Sequence, residues 1–447
     1  MEKSITHQTL QDCEARFRAD RGNQIAMNAV TSAGIQTAAR TWNSRAAERH
    51  QFSIRLDSRG ITNQKQSGRC WMFAALNCLR YRVMQNLNLE EFELSQSYPF
   101  FFDKLERSNY FLESILETAD RPTDDRTVAF LLAAPVQDGG QWDMISAVIQ
   151  KYGAVPKDAM PESVSSSASQ ALNAVLYEKL REDAAILRRE YRSGRTPEEL
   201  EKEKAAMLEE IYRILCICLG TPPRTVDFQV RTKDHDFISD TGLTPKEFYD
   251  KYIGIDLAEY ISLINAPTAD KPFLQAYTVQ YLGNVVGGTP VRYVNLPIDL
   301  LKQAALAQMK DGSPVWFGCD VGKCSDRTGG AMDPDAYDYE GLFGVRFGMT
   351  KADRLEYGSS MMTHAMVFQG ADLDADGCPV RWCVENSWGK DTGKDGMYLM
   401  TDAWFDEYLY QVVVNRKYLP QEVLDAYDGP VTVLAPWDPM GALAVVR

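Results

Sequence analysis

The chain lacks any apolar run close to the ~20 residues that a membrane-spanning helix needs. Its first eight residues carry charges and lack the apolar core of a secretory signal. The 9 cysteines are an odd number spread over 447 residues, which does not suit a framework of disulfides. These absences predict a soluble protein of the cytoplasm, with reduced thiols and no membrane partner.

Positive charge is also scarce, because 48 lysines and arginines stand against 62 aspartates and glutamates, giving a formal net charge of −14. This balance disfavours general binding to nucleic acid, so a nucleic-acid partner is not expected. Hydrophobic content of 45% is that of an ordinary globular protein. The pairs Cys319/Cys324 and Cys378/Cys383 are spaced more loosely than the usual zinc ligands. The sequence therefore predicts neither a metal nor a cofactor.

Histidine, which often moves protons near neutral pH, occurs only 4 times. His7, His50 and His235 lie in polar or charged stretches. His364 instead opens the apolar run Ala365–Phe368, which is typical of a buried strand. His364 is therefore the histidine best placed to act from a structured core.

Cys70 stands at the junction between a polar loop and a long apolar pattern that predicts a buried helix. Unpaired N–H groups and the positive end of the helix dipole favour the thiolate, which is the nucleophilic form. Gln64 lies six positions upstream, and its side-chain amide could donate to a developing oxyanion beside the Cys70 N–H. A cysteine taken at random is more often an inert buried thiol, so this assignment depends on finding a base.

A cysteine nucleophile needs a base that accepts its proton and later returns it. His364 is the candidate base, and the next strand pattern leads into Asn386 and Trp388. Asn386 is expected to accept a hydrogen bond from the imidazole and fix its orientation, while Trp388 shields that bond from water. A neutral amide suits a cysteine enzyme, because thiolate and imidazolium can form an ion pair without a carboxylate.

Other patterns predict the surrounding elements. A serine-rich link leads into a helical hairpin within 163–220, and Thr196–Glu199 reads as a capping box that opens its second helix. The acidic run Asp372–Gly377 resembles the start of a calcium loop, but Cys383 stands where calcium needs a bidentate glutamate, so a hairpin turn is expected. Strands are predicted over 286–295, 314–321, 361–370, 380–388 and 396–401.

Several segments together carry a family resemblance: Thr62–Trp71, Asp138–Asp143, Pro314–Lys323, His364–Met366, Glu385–Gly389 and Trp437–Ala444. The order Gln64, Cys70, His364, Asn386 resembles the oxyanion glutamine, nucleophile, base and orienting amide of the papain superfamily. The whole set is most similar to the intracellular branch formed by bleomycin hydrolase and bacterial aminopeptidase C. Papain-type enzymes usually place the histidine roughly 130–150 residues after the cysteine. Here the interval is 294 (364 − 70), which implies a large insertion.

This resemblance implies an α+β, papain-like fold of two lobes in one peptidase unit, 1–447. The helical lobe with the nucleophile helix is expected over 60–160, and a helical insertion used for assembly over 163–265. The β-rich lobe with the histidine and asparagine is expected over 270–435, and a C-terminal arm over 436–447 is expected to lie in the cleft.

The resemblance also implies a cysteine aminopeptidase that assembles as a homohexamer and acts on peptides with a free N-terminus. The carboxylate of the arm would meet the substrate's α-amino group. Relatives end at about the position of Ala444, whereas Val445–Arg447 follow here. Either the arm takes a different register, with Arg447 at its end, or Cys70 trims these residues.

Two alternatives to the aminopeptidase stay open at this point. One is a non-catalytic ring that binds nucleic acid, which the complete set of site residues and the negative charge disfavour. The other is an endopeptidase or acyl transferase that uses the same site, which N-blocked substrates and added amines would reveal.

Overall fold

A computed structural model describes residues 4–42, 44, 49–56 and 59–443. Its helices are α1 (His7–Ala19), α2 (Arg21–Ala33), α3 (Ile35–Ala39), α4 (Cys70–Asn86), α5 (Ser97–Glu117), α6 (Arg126–Ala133), α7 (Trp142–Tyr152), α8 (Val164–Ser167), α9 (Gln170–Arg192), α10 (Pro197–Leu219), α11 (Pro245–Phe248), α12 (Ile298–Lys310), α13 (Tyr339–Phe343), α14 (Lys351–Glu356), α15 (Asp402–Tyr408) and α16 (Gln421–Asp428). None of the helices within these ranges combines the length and apolarity needed to cross a bilayer.

The strands are β1 (Ile54–Arg55), β2 (Val226–Arg231), β3 (Phe237–Leu243), β4 (Tyr260–Ile264), β5 (Gln275–Val279), β6 (Tyr293–Asn295), β7 (Val315–Cys319), β8 (Ser325–Asp326), β9 (Ala331–Met332), β10 (His364–Leu373), β11 (Pro379–Glu385), β12 (Met397–Thr401), β13 (Leu409–Asn415) and β14 (Val431–Leu434). The large sheet has the order β14-β5-β6-β4-β13-β7-β10-β11-β12-β9-β8, with β1 paired to the far end of β10. Strands β2 and β3 form a separate antiparallel ribbon. Most of the long helices precede residue 220, whereas the mainly antiparallel large sheet is built almost entirely from strands after residue 259, and this segregation confirms the predicted α+β class.

Helix α4 is buried on nearly every face, as its apolar sequence predicts. It packs against β7 and β10 of the sheet and also against α7. Two indole N–H groups fix its first turn, because Trp316 donates to the Trp71 carbonyl (3.0 Å) and Trp71 donates to the Asp138 carbonyl (2.7 Å). The start of this helix is therefore held between the helical and the sheet-forming parts of the molecule.

The antiparallel run β7-β10-β11-β12 provides the sheet side of the site. Its strands confirm the predictions for 314–321, 361–370, 380–388 and 396–401 to within a few residues. The turn between β10 and β11 lies in the acidic run predicted as a hairpin turn. The strand predicted over 286–295 is wrong except for Tyr293–Asn295, because Gly287 has φ 74° and Pro290 lacks an N–H for the ladder.

Helices α9 and α10 form the predicted helical hairpin, and the capping box of Thr196 and Glu199 is present in both directions. The leucines Leu172, Leu176 and Leu180 are buried along one face of α9, as their helical spacing predicts. The hairpin packs against α5. The span 163–265 also contains the β2-β3 ribbon, so the predicted insertion is not helical throughout.

Candidate active site

Cys70 is the first residue of α4, and its side chain is almost fully buried. The preceding loop runs beside the segment that follows β11, where Gln64 N–H donates to the Ser387 carbonyl (2.8 Å) and Asn63 forms a bridge with Trp388. The loop and the segment after β11 come from distant parts of the sequence. Their pairing brings the neighbourhood of Cys70 to the end of β11.

His364 opens β10, and Asn386 directly follows the end of the neighbouring strand β11. The imidazole Nε2 lies 2.9 Å from Asn386 Oδ1. The backbone N–H of Ser387 donates to the same oxygen at 2.8 Å, so this oxygen is an acceptor. Nε2 must therefore carry the hydrogen, which leaves Nδ1 as the basic nitrogen.

Trp388 packs on the imidazole, with 4.7 Å between the ring centroids of Trp388 and His364 and 33° between their planes. The imidazole is nearly inaccessible, and Asn386 is buried. The predicted shielding of the hydrogen bond between His364 and Asn386 is consistent with this packing.

Cys70 and His364 line the same cavity, which has a volume of only about 10 Å³, roughly the space for one water. The backbone N–H of Ala365, the residue after His364, also acts on the sulfur and lowers the pKa of the thiol. Gly140 borders this cavity, and a Cβ there would lie 2.6 Å from the Trp71 ring, so only glycine fits. The fold thus places the thiol and the imidazole at one small space.

Gln64 is buried and held in a fixed orientation in the loop before Cys70, but it does not line this cavity. Its Nε2 donates to the Ser67 carbonyl (2.7 Å), and its Oε1 accepts from the Ser387 hydroxyl (2.7 Å). An amide nitrogen has two hydrogens, and the second one has no acceptor among the described residues. That hydrogen is available to a ligand oxygen.

Burial controls the ionisation of the two central groups. It raises the pKa of the Cys70 thiol to about 11, although backbone N–H groups of Ala365, Trp71 and Cys70 lower it. It also lowers the pKa of His364 to about 4, with Asn386 opposing this shift and the Arg327 charge adding to it. The backbone N–H groups at the helix start favour the thiolate, as expected, but desolvation outweighs them and the net pKa is raised. A thiolate here needs an imidazolium beside it.

A buried ionic network that the sequence reading missed supports the nucleophile loop. The Asp138 carboxylate accepts from the Gly68 backbone N–H (3.0 Å), from Lys104 Nζ (2.7 Å) and from Asn173 Nδ2 (2.8 Å), and also from the Ser169 hydroxyl. Burial raises its pKa, and the attraction of Lys104 more than reverses that effect, so the net pKa is low. The sequence showed Asp138 beside two glycines, but nothing in it identified Lys104 as the partner.

A second buried ion pair connects helix α4 to the end of strand β11, next to Asn386 in sequence. Arg80 on α4 bonds Glu385 at 2.6 Å, and both side chains are at most 2% exposed. Gln369 donates to the other carboxylate oxygen at 2.5 Å. Because Glu385 immediately precedes Asn386, this pair ties the nucleophile helix to the strand that carries the orienting amide. The two partners are 305 positions apart, so no local pattern could have revealed them.

The C-terminal arm reaches the cavity through its last described residues. Lys271 pairs with Asp438 at 2.9 Å, the Tyr293 hydroxyl donates to the Met440 carbonyl (3.2 Å), and Gln141 Nε2 donates to the Ala442 carbonyl (3.2 Å). Ala442 lines the cavity with Cys70 and His364. The predicted substrate contacts Ala444 and Arg447 lie outside the described residues.

Comparisons with known proteins agree with this geometry. The model of the Peptidase C1-like family matches residues 4–441. Aminopeptidase C of Listeria monocytogenes is 48% identical over 100% of both chains, and aminopeptidase C of Streptococcus thermophilus is 51% identical over 96% of this chain and 97% of its own. Human bleomycin hydrolase is 46% identical over 90% of each chain. The crystal structure of PepW from Lactobacillus rhamnosis is 52% identical, covers 99% of this chain and 100% of its own, and has a TM-score of 0.97.

Proposed function

This chain is a member of the Peptidase C1-like family, and we propose that it is a cysteine aminopeptidase that removes residues from the N-terminus of peptides. The observation that best supports this proposal is the imidazole of His364, which is oriented by Asn386 and lines one cavity with the thiol of Cys70. Similarity over full length to proteins named aminopeptidase C supports cleavage from the N-terminus of the peptide.

The reaction that we propose is acyl transfer through a thioester. The Cys70 thiol gives its proton to Nδ1 of His364, and the thiolate attacks the first peptide carbonyl. The second Nε2 hydrogen of Gln64 and the Cys70 N–H stabilise the oxyanion. The imidazolium protonates the leaving amine, and the neutral imidazole then activates the water that hydrolyses the thioester. Trp388 supports this cycle by shielding the bond that orients the ring.

The arm supplies the proposed selectivity for a free N-terminus. Its Ala442, next to the last described residue, lines the cavity with Cys70, where the first substrate residue would bind. We propose that the terminal carboxylate, in the register of Ala444 or of Arg447, pairs with the substrate ammonium. Mass spectrometry of the purified protein beside a Cys70→Ala form tests self-trimming, and identical full-length tails in both forms would exclude it.

Assembly as a homohexamer and a cytoplasmic location are also part of the proposal. Helices α1 and α2 bury none of their residues within this chain, and apolar side chains such as Ile5, Leu10 and Ile25 are more than half exposed on or beside them. Such exposure is typical of a surface covered by another subunit. The insertion over 163–265 would add further contacts between subunits. We keep the division of the rest of the chain into a helical lobe over 60–160, a β-rich lobe over 270–435 and a C-terminal arm over 436–447 as part of this proposal. Light scattering that gives six chains per particle would support the hexamer, and a monomer mass would contradict it.

A panel of free and N-acetylated peptides tests the proposal directly. Release of single residues from free peptides, with no cleavage of the acetylated forms, is the expected result. Cleavage of acetylated peptides would favour the endopeptidase, and a product joined to an added amine would favour the transferase. Binding of DNA without any turnover would favour the non-catalytic ring.

A further inference from the structure

Arg327 places a positive charge near the candidate catalytic histidine. It lies in the short turn between β8 and β9, its side chain is exposed, and its guanidinium carbon is 4.3 Å from the centroid of a Trp388 ring. Trp388 in turn packs on His364 with 4.7 Å between the ring centroids. These two distances limit the third, so the guanidinium lies no more than about 9 Å from the imidazole.

The backbone of this turn is fixed. The Tyr398 hydroxyl donates to the Arg327 carbonyl at 2.8 Å, and Tyr398 packs edge-on against Trp388. The Gly330 N–H closes the turn on the Asp326 carbonyl at 2.7 Å, and Leu399 N–H donates to the Gly330 carbonyl at 2.8 Å. The position of the guanidinium is therefore set by the sheet and by the indole on which it stacks.

No carboxylate among the described residues pairs with Arg327. Its neighbour Asp326 is bonded to Arg40 instead, so that negative charge is already neutralised. The loop 389–396, which touches the turn through a hydrogen bond from Gly393 to Thr328 (3.1 Å), contains two lysines and two aspartates and has no net charge. The chain has a net charge of −14, yet within the part that the structure describes this cation near the site has no carboxylate partner, so it can attract an anionic group of a ligand.

The proposed reaction indicates which part of a substrate reaches this cation. The amine that leaves takes its proton from the imidazole of His364, so it must come within about 3 Å of Nδ1. In a dipeptide, the carboxylate carbon lies two bonds from that nitrogen, or roughly 2.5 Å. The carboxylate then lies within about 5.5 Å of Nδ1, a distance from which it can reach, past the edge of the Trp388 indole, a guanidinium no more than about 9 Å from the imidazole. Each further residue would move a terminal carboxylate away by up to about 3.6 Å.

Resting on the proposed aminopeptidase function, we propose that Arg327 is a specificity-determining residue on the leaving side, which selects peptides whose first residue after the scissile bond carries a free carboxylate. Dipeptides are the substrate class that it favours. The guanidinium presents two N–H groups to one carboxylate, which a neutral amide cannot match. Trp388 keeps the guanidinium in place by stacking with it.

Hydrolysis of alanyl-alanine and of alanyl-alanine amide by the same protein tests this role. In the wild-type protein the acid should be the better substrate. In Arg327→Gln the ratio of kcat/KM for acid over amide should fall roughly tenfold, mainly through KM for the acid, because a charged hydrogen bond is lost. Arg327→Lys should keep part of the ratio. Lys202→Gln, which removes one exposed positive charge from α10, should leave the ratio unchanged.

Each outcome of this experiment separates the possibilities. Turnover of the amide by Arg327→Gln at the wild-type rate would show that this variant is folded and that the change concerns the carboxylate. An equal loss on both peptides, or no loss on either, would overturn the role of Arg327 while leaving the aminopeptidase intact. If the wild-type protein released alanine from neither peptide, the proposed function would fail, and the role of Arg327 with it.

Discussion

Replacing Asp138 by asparagine would test whether the buried network supports the nucleophile loop. The side chains of Asp138 and Lys104 are 1% and 0% exposed, and 2.7 Å separates the charged atoms. In Asp138→Asn the ammonium of Lys104 still donates to the Val136 carbonyl (2.6 Å), but it loses the carboxylate that balances its charge. Leaving one member of a buried pair without its countercharge costs about 3–5 kcal/mol. The Gly68 N–H loses its charged acceptor as well, so the loop before Cys70 should loosen.

Equilibrium urea unfolding measures this loss, with the slope unchanged and the midpoint lowered. The double variant Asp138→Asn/Lys104→Met should recover at least half of it, because it removes the uncompensated charge. Asp311→Asn is the matched control, since the pair of Asp311 and Lys417 is more than half exposed and should leave the midpoint nearly unchanged.

The stability loss of Asp138→Asn should also change with pH in a direction that can be predicted. Burial lowers the pKa of Lys104, and the Asp138 carboxylate raises it again. Without that carboxylate the folded state gives up the lysine proton at lower pH, while the unfolded chain keeps it to about pH 10.4. The unfolded state then binds more protons, so the deficit of Asp138→Asn should narrow as pH rises from 7 to 9. A deficit below 0.5 kcal/mol, or one that widens with pH, would refute this reasoning.

Four other predictions concern the reaction and the frame around it. Gln64→Ala should lower kcat by roughly 10²–10³ with an intact fold, as loss of one oxyanion donor does; an unchanged kcat in steady-state assays would exclude that role. Asn386→Ala should lower kcat about 10²-fold while Cys70 stays in place, because the imidazole is no longer oriented; wild-type kcat would contradict this. Since burial lowers the pKa of His364 to about 4, kcat/KM should hold as pH falls well below 6.5, and a midpoint near 6.5 in a pH profile would be the opposite result. Glu385→Gln should lower the free energy of unfolding by about 3–5 kcal/mol in urea, because Arg80 is left buried without its partner; an unchanged midpoint would show that the pair is not structural.

Much of the candidate site could be predicted because its chemistry is local in sequence. A polar loop before an apolar helix places Cys70 at a helix start, and a histidine that opens an apolar strand is placed at the end of a sheet. Strand β11 is adjacent to β10 because a short acidic turn joins them, so Asn386 had to come near His364.

What the sequence could not reveal are the effects that depend on the whole fold. The partners Asp138 and Lys104, and Arg80 and Glu385, come from distant segments, and each charged residue alone reads as an ordinary surface position. The direction of the Cys70 pKa also required the fold, since the helix start favours the thiolate but burial outweighs it. The sequence did not indicate a role for Arg327, because only the fold places the turn between β8 and β9 beside Trp388.

The most direct test of the central claim is the rate at which iodoacetamide alkylates Cys70 as a function of pH, resolved from the other eight thiols by peptide mass spectrometry. In the wild-type protein Cys70 should react well below pH 8, because His364 accepts its proton and compensates the thiolate. In His364→Ala the same thiol should react only as the pH approaches about 11, where burial sets its pKa. Identical pH profiles in the two proteins would contradict the pairing of Cys70 and His364, and with it the proposed chemistry.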